Sequence, residues 1–233
     1  MSVLAEWSEL AAALFCFMGA HALPARPAIR SAIVSVIGRT PYILIYSALS
    51  VGLLMWVARA AATAPFVELW PYDQSAVAIP ALGMAVACLL IVFGLTSPNP
   101  LSLSRSGGFD PRAPGVAAVV RHPVLWAALI WASSHLAING DLAHLIVFGA
   151  FGILAVVGMQ VLDRRFIERL GAAEWETLAR YTSNIPFVGL GRGAAIRVGS
   201  GTVLRVIGGA ILYGGLVALH EILAGVPVPL GEI

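Results

Sequence analysis

The chain contains no lysine. Schiff-base chemistry and lysine nucleophiles are therefore excluded, and all fourteen basic side chains are arginines. Charge of either sign is scarce: 11% of residues are charged and 59% are hydrophobic, with a mean hydropathy of +0.90. Soluble domains carry roughly 25% charged and about 45–50% apolar residues. Cysteine is limited to Cys16 and Cys88, both inside apolar runs. They form neither a disulfide framework nor a metal-binding spacing, and a buried structural place is expected for each. There is no room for a second domain: the longest polar connection, 163–201, is about 39 residues. The expectation is one integral membrane domain over 1–233.

What is present is a set of apolar runs, at 7–23, 41–61, 77–96, 116–138, 142–162 and 202–223. Each is near the ~20 residues that cross a hydrocarbon core, and backbone in lipid must satisfy its own hydrogen bonds, so the runs predict helices. The first run lacks a basic leader and carries Glu6 and Glu9, so it reads as a retained span and not a cleaved signal. Thirteen arginines fall in alternate connections: Arg26, Arg30 and Arg39; Arg105, Arg112 and Arg121; and seven from Arg164 to Arg205. The opposite connections hold Arg59 and are otherwise acidic, with Glu68, Asp73, Asp141, Glu221 and Glu232. Basic residues stay on the cytoplasmic side. The prediction is an all-α polytopic bundle of about six spans, both termini outside, in a bacterial inner membrane. The pI near 8.8 points to anionic lipid headgroups and not to nucleic acid.

Local signals refine this outline. Residues 24–40 read as an arginine-bearing interfacial turn, with Pro41 opening the second span. The stretch 97–115 is rich in Ser, Pro and Gly and reads as a loop. Asp141 is a predicted N-cap, Gly171 a predicted C-cap, and 172–182 a predicted short interfacial helix. Ala210, Gly214 and the glycine pairs at 208–209 and 214–215 predict close packing of the last span.

Five histidines are the candidates for chemistry, because an ionisable group within a span is costly and usually functional. His21 ends the first run, His122 sits between Arg121 and Pro123, and His135 lies one turn before the outer end of its run. Each has a bland alternative: a ring held by a backbone carbonyl, a cap, or a neighbouring Ser or Asn. For His144, beside Asp141, and His220, beside Glu221, the interfacial reading is preferred. His122 and His135 are 13 residues apart, which on one helix is an offset of roughly 20 Å, so they are not expected to share a site. No paired carboxylates, nucleophile elbow or glycine-rich phosphate loop is present. No charged row lines the spans, which speaks against an ion channel or proton-coupled transporter.

Several short motifs occur in order: Gly19-Ala20-His21, Ser97-Pro98-Asn99-Pro100, Arg121-His122-Pro123, Ser134-His135-Leu136 with Asn139-Gly140-Asp141, Asp163-Arg164-Arg165, and Leu219-His220-Glu221. In this order and spacing the chain resembles the NnrU family of membrane proteins, named from denitrification gene clusters. That family is similar to the plant 15-cis-zeta-carotene isomerases, which hold haem b in a membrane. The resemblance implies haem b with His21 and His135 as iron ligands. It gives Arg121 and His122 a supporting or propionate-contacting place, arginine being suited to carboxylates. It also implies a hydrophobic substrate, with a carotenoid as one class. A further histidine of those isomerases would fall near Leu154, so haem binding carries over better than isomerisation.

A second resemblance runs through Arg121-His122-Pro123, Asp163-Arg164, Leu170-Gly171, Trp175, Tyr181 and Ile185-Pro186. These look like the core of isoprenylcysteine carboxyl methyltransferases, implying S-adenosylmethionine. Arg164 stands where those enzymes carry an acid, and a positive charge there opposes a sulfonium. The non-catalytic alternative is an accessory protein of nitrogen-oxide respiration with a respiratory membrane partner.

Overall fold

The computed structural model describes residues 3–22, 26–104, 107–195 and 198–228. Arg105, Arg197 and Glu232, which enter the charge pattern above, lie outside the described residues. The described chain is helical apart from loops and one isolated antiparallel bridge between Glu68 and Asp141. The helices are α1 (Val3–Ala22), α2 (Pro27–Ile37), α3 (Arg39–Thr63), α4 (Ala78–Thr96, after a 3-10 turn at Gln74–Val77), α5 (Val116–Val119), α6 (Pro123–Ile138), α7 (Leu142–Leu170), α8 (Ala172–Ala179), α9 (Val188–Gly191) and α10 (Ser200–Ala224). Among the described residues, four stretches are long and apolar enough to cross a membrane: Arg39–Thr63, Gln74–Thr96, Leu142–Leu170 and Ser200–Ala224. Their apolar surfaces fit a lipid bilayer.

The chain forms two compact units. The first comprises the described residues of 3–71, 140–147 and 219–228, and the second those of 72–139 and 148–218. In the first, α1 packs on α3, burying Leu10, Ala13 and Phe17 against a face that includes Val57, Ala60 and Ala61. The spacing of those three α1 residues makes one helical stripe. Cys16 falls off that stripe and is exposed, contrary to its expected burial; Cys88 is buried as expected. Residues 67–70 run beside 140–142, with Leu69 N and Trp70 N donating to Gly140 O and Leu142 N to Val67 O. A Cβ at Gly140 would collide with the Trp70 carbonyl, so only glycine permits this approach. Segment 24–40 contains more than the expected turn: Pro27 starts α2, in line with its preference for the first helical turn.

In the second unit, α4 packs along α6 through small residues. A Cβ on Gly83 would lie 2.8 Å from Ser134 Cβ, and one on Gly94 3.0 Å from Pro123 Cβ. On α10, Gly209 meets Leu89 of α4, whereas nothing lies within 4 Å of a Cβ at Gly214 or Gly215. Close packing of α10 therefore uses the 208–209 pair and not the later one. Asp73 caps the 3-10 turn, accepting from Ser75 Oγ at 2.7 Å and Ser75 N at 2.9 Å. The Ser75 hydroxyl and amide together hold that carboxyl below the usual aspartate value. In the first unit, Asp141 accepts from His144 N at 3.1 Å, as an N-cap should. Gly171, at φ 84, ends α7.

The apolar run 116–138 is not one helix. It breaks after α5, with Val120 extended and His122 outside helical angles. Pro123 disfavours a helical residue before it. The backbone groups pair elsewhere: Arg121 N donates to Ser183 O at 2.7 Å, and Val119 O accepts from Phe187 N at 2.8 Å. The 16-residue α6 is left with about 24 Å of rise.

Candidate functional site

The break before α6 creates a buried polar cluster in the second unit. Its centre is Asp163, on α7. Oδ1 lies 3.0 Å from His122 Nε2, and Oδ2 receives Arg121 Nη1 at 2.7 Å and Asn184 Nδ2 at 2.7 Å. The other ring nitrogen of His122 lies 3.2 Å from Ser102 Oγ. Arg121 also donates Nε to Thr182 Oγ1 at 2.8 Å and Nη2 to the Thr182 carbonyl at 3.3 Å. Its own carbonyl accepts from Asn99 Nδ2 at 2.8 Å. His122 is 0% exposed and Arg121 7%, so each needs these partners: a buried charge or imidazole without them would be strongly destabilising.

The motifs explain who meets whom. Asn99 folds the Ser-Pro-Asn-Pro turn back on itself through Leu101 N to its Oδ1 at 3.1 Å. This carries Ser102 toward His122. The Thr182–Asn184 segment lies beside the 120–122 break because Gly189 lets the backbone of α9 approach Ala118 and Tyr181; a Cβ there would clash with both carbonyls at 2.5 Å. Trp126 Nε1 donates to Asn184 O at 2.9 Å. Asn184, Thr182 and Ser102 were not singled out by the sequence as site residues, and Asp163 entered only as a member of the motifs that carry the two resemblances. A signal did exist for Asp163, a lone acid near the inner end of an apolar run.

Beside Arg121 lies a cavity of about 310 Å³, lined by Arg121, Trp175, Glu176, Ala179, Arg180 and Arg192. Arg121 stacks over the Trp175 indole, 4.9 Å from the ring centroid. Arg192 Nη1 donates at 3.1 Å to the Thr182 carbonyl that Arg121 also uses. The Trp175 Nε1 hydrogen and Asn184 Oδ1 are buried without hydrogen-bond partners among the described residues.

The other two sequence candidates lie apart from this cluster in character. His21 belongs to the first unit and His135 to the second. His21 Nδ1 lies 2.9 Å from Phe17 O, its ring stacked on Phe17 at 4.1 Å and tilted to Tyr46 at 5.7 Å. His135 Nδ1 lies 2.9 Å from Trp131 O, with Trp131 and Phe148 at 5.8 and 5.4 Å. A carbonyl can only accept, so Nδ1 carries the proton in both, and in the neutral ring Nε2 is the basic nitrogen. A metal-binding histidine is commonly oriented through its other ring nitrogen in this way. His122 differs, with both ring nitrogens bonded to side chains. His144 pairs with Asp141, and His220 Nδ1 lies 2.7 Å from Val226 O. Among the described residues, no group of three or more His, Cys, Asp or Glu side chains forms a metal cluster.

In comparisons with known proteins, a family model described as NnrU protein matches residues 9–228. No curated protein and no solved structure matches the chain.

Proposed function

This chain belongs to the NnrU family, and on that ground we propose that it binds haem b with His21 and His135 as the residues that would hold the iron, and serves a redox-linked role in a bacterial inner membrane. The observation that supports this reading is the shared orientation of the two imidazoles. Each gives its Nδ1 hydrogen to the carbonyl four residues earlier in its own helix, and each keeps Nε2 as the basic nitrogen. Two neutral imidazoles give iron a low-spin, electron-transfer-capable character when the cofactor is bound. The proposed topology has six spans with both termini outside, α1 and α6 crossing with the four longer stretches.

Arg121 and His122 have a supporting part in this proposal. With Arg121 Nε and both Nη atoms bonded, and both nitrogens of His122 bonded, they fix the start of α6, the helix that carries His135. A hydrophobic small molecule, of which a carotenoid is one class, would find apolar surface in the groove of about 350 Å³ between α6 and α7, lined by Leu129, Ala132, Leu136, Gly149 and Gly152 among others. The methyltransferase alternative gains nothing from the cavity beside Arg121, since three arginines oppose a sulfonium cofactor. An accessory role in nitrogen-oxide respiration is compatible with haem, and a co-purified respiratory partner would support it.

The test is an absorption spectrum of the detergent-purified protein, oxidised and then reduced with dithionite. The expected result is a Soret band with sharpened α and β bands on reduction, absent in His135→Ala and His21→Ala preparations that still insert and elute as folded protein. A colourless protein after expression with ample haem, or a spectrum unchanged by both substitutions, overturns the assignment.

A further inference from the structure

We propose that the cavity between α8 and the 180–192 segment is an anion site that takes a phosphate group, carried by a phospholipid or by a soluble phosphate ester. This inference does not rest on the haem reading. Its starting point is charge. Arg121, Arg180 and Arg192 all line the cavity, and the carboxylate among its lining residues is Glu176. The nearby Asp163 is already bonded to Arg121, His122 and Asn184. Among the described residues, no carboxylate stands within ion-pair distance of Arg180 or Arg192; the ion pairs present are those of Arg121, His122 and His144.

Geometry adds a second argument. Arg121 and Arg192 donate to the same carbonyl oxygen, that of Thr182, at 3.3 and 3.1 Å. Two guanidinium groups brought to one acceptor repel each other, and an anion between or beside them removes that repulsion. The third argument is an unanswered donor. Trp175 lines the cavity, and its Nε1 hydrogen is buried without an acceptor. Buried donors normally have partners, and one without calls for an explanation. Guanidiniums and an indole N–H supply donors from several directions. A phosphate, with up to three terminal oxygens and a charge near −2, uses them more fully than a planar carboxylate does. Glu176 works against any anion, but three arginines outnumber it and leave the lining cationic.

The experiment follows thermal unfolding of the full chain in a non-ionic detergent. Inorganic phosphate is titrated at constant ionic strength against chloride. In parallel, dihexanoyl phosphatidic acid is titrated against dihexanoylglycerol, which has the same tails and no phosphate. The expected result is a saturable rise in Tm with a phosphate-bearing probe. A response to both probes assigns a soluble phosphate ester as a sufficient ligand. A response to phosphatidic acid alone assigns a lipid headgroup. In either case Arg180→Gln and Arg192→Gln, both at exposed positions, weaken the response about tenfold. Trp175→Phe keeps the ring and removes the donor, and weakens it about threefold to tenfold. Helical circular dichroism and monodisperse elution confirm that the variants fold. No saturable rise with either probe at millimolar concentration, or an equal rise in wild type and all three variants, overturns the proposal.

Discussion

His122 and Asp163 stand 41 positions apart in the chain and 3.0 Å apart in space. The contact joins the residue just before α6 to the inner part of α7, and the same carboxylate holds Arg121 at 2.7 Å. One acid thereby compensates a buried guanidinium and orients a fully buried imidazole. With Asp163 side-chain exposure at 17%, solvent offers little replacement.

Asp163→Asn keeps the volume and removes the charge. It is expected to destabilise the protein by about 3–5 kcal/mol, the range for leaving a buried charge uncompensated. Denaturant or thermal unfolding in detergent checks this. A loss below about 1 kcal/mol would mean that Arg121 finds another partner or water.

His122→Ala and His135→Ala should separate structure from cofactor binding. The His122 change leaves a cavity and unpaired partners at Asp163 and Ser102, and should cost about 2–4 kcal/mol. Haem content per folded protein should fall far less than in the His135 variant, because His122 supports α6 and does not itself hold the iron in this proposal. The His135 change should remove the haem spectrum from protein that remains folded. Equal haem loss in both variants, at equal folded fraction, would refute this division of labour.

On α10, two glycines are expected to respond oppositely. A Cβ at Gly209 would lie 2.6 Å from Leu89 Cδ2 and 3.3 Å from its Cα, whereas a Cβ at Gly214 meets nothing within 4 Å. Gly209→Ala should destabilise by about 1–3 kcal/mol through overpacking. Gly214→Ala should be neutral or stabilise by up to about 1 kcal/mol, through helix propensity. Melting curves of the two variants side by side decide it. A reversed order would place the α10 contact surface elsewhere.

The proposed six-span topology puts Tyr72 outside and Arg112 inside. In a Cys16→Ser, Cys88→Ser background, Tyr72→Cys should label with a membrane-impermeant maleimide in intact cells. Arg112→Cys should label only after permeabilisation. Both are exposed positions, so accessibility reports sidedness. Labelling of both from outside would rule out the arrangement.

Much of the helical outline was legible in the residues. Asp141 and Gly171 carry cap chemistry that acts over a few positions, and the structure has both caps where the sequence placed them. The short helix predicted over 172–182 was legible from the spacing of Trp175, Leu178 and Tyr181, and it runs over Ala172–Ala179. Hydropathy alone runs 116–138 together, because a window average does not register that Pro123 opens α6 and disfavours a helical residue before it, and that the freed Arg121 amide donates to Ser183 O. Composition also hid the exposed place of Cys16, since burial depends on which neighbour covers a given helical face.

That this is an all-helical NnrU-family chain with surfaces suited to lipid is written in the residues alone, because motif order, apolar length and local capping need no long-range partner to be read. Which polar residues meet is settled only by the packing of the folded chain. Arg121, His122, Asp163, Thr182 and Asn184 are spread over more than 60 positions and become one cluster through the break before α6 and the close approach at Gly189. Such pairing depends on how helices pack, and side-chain spacing along the chain does not encode it.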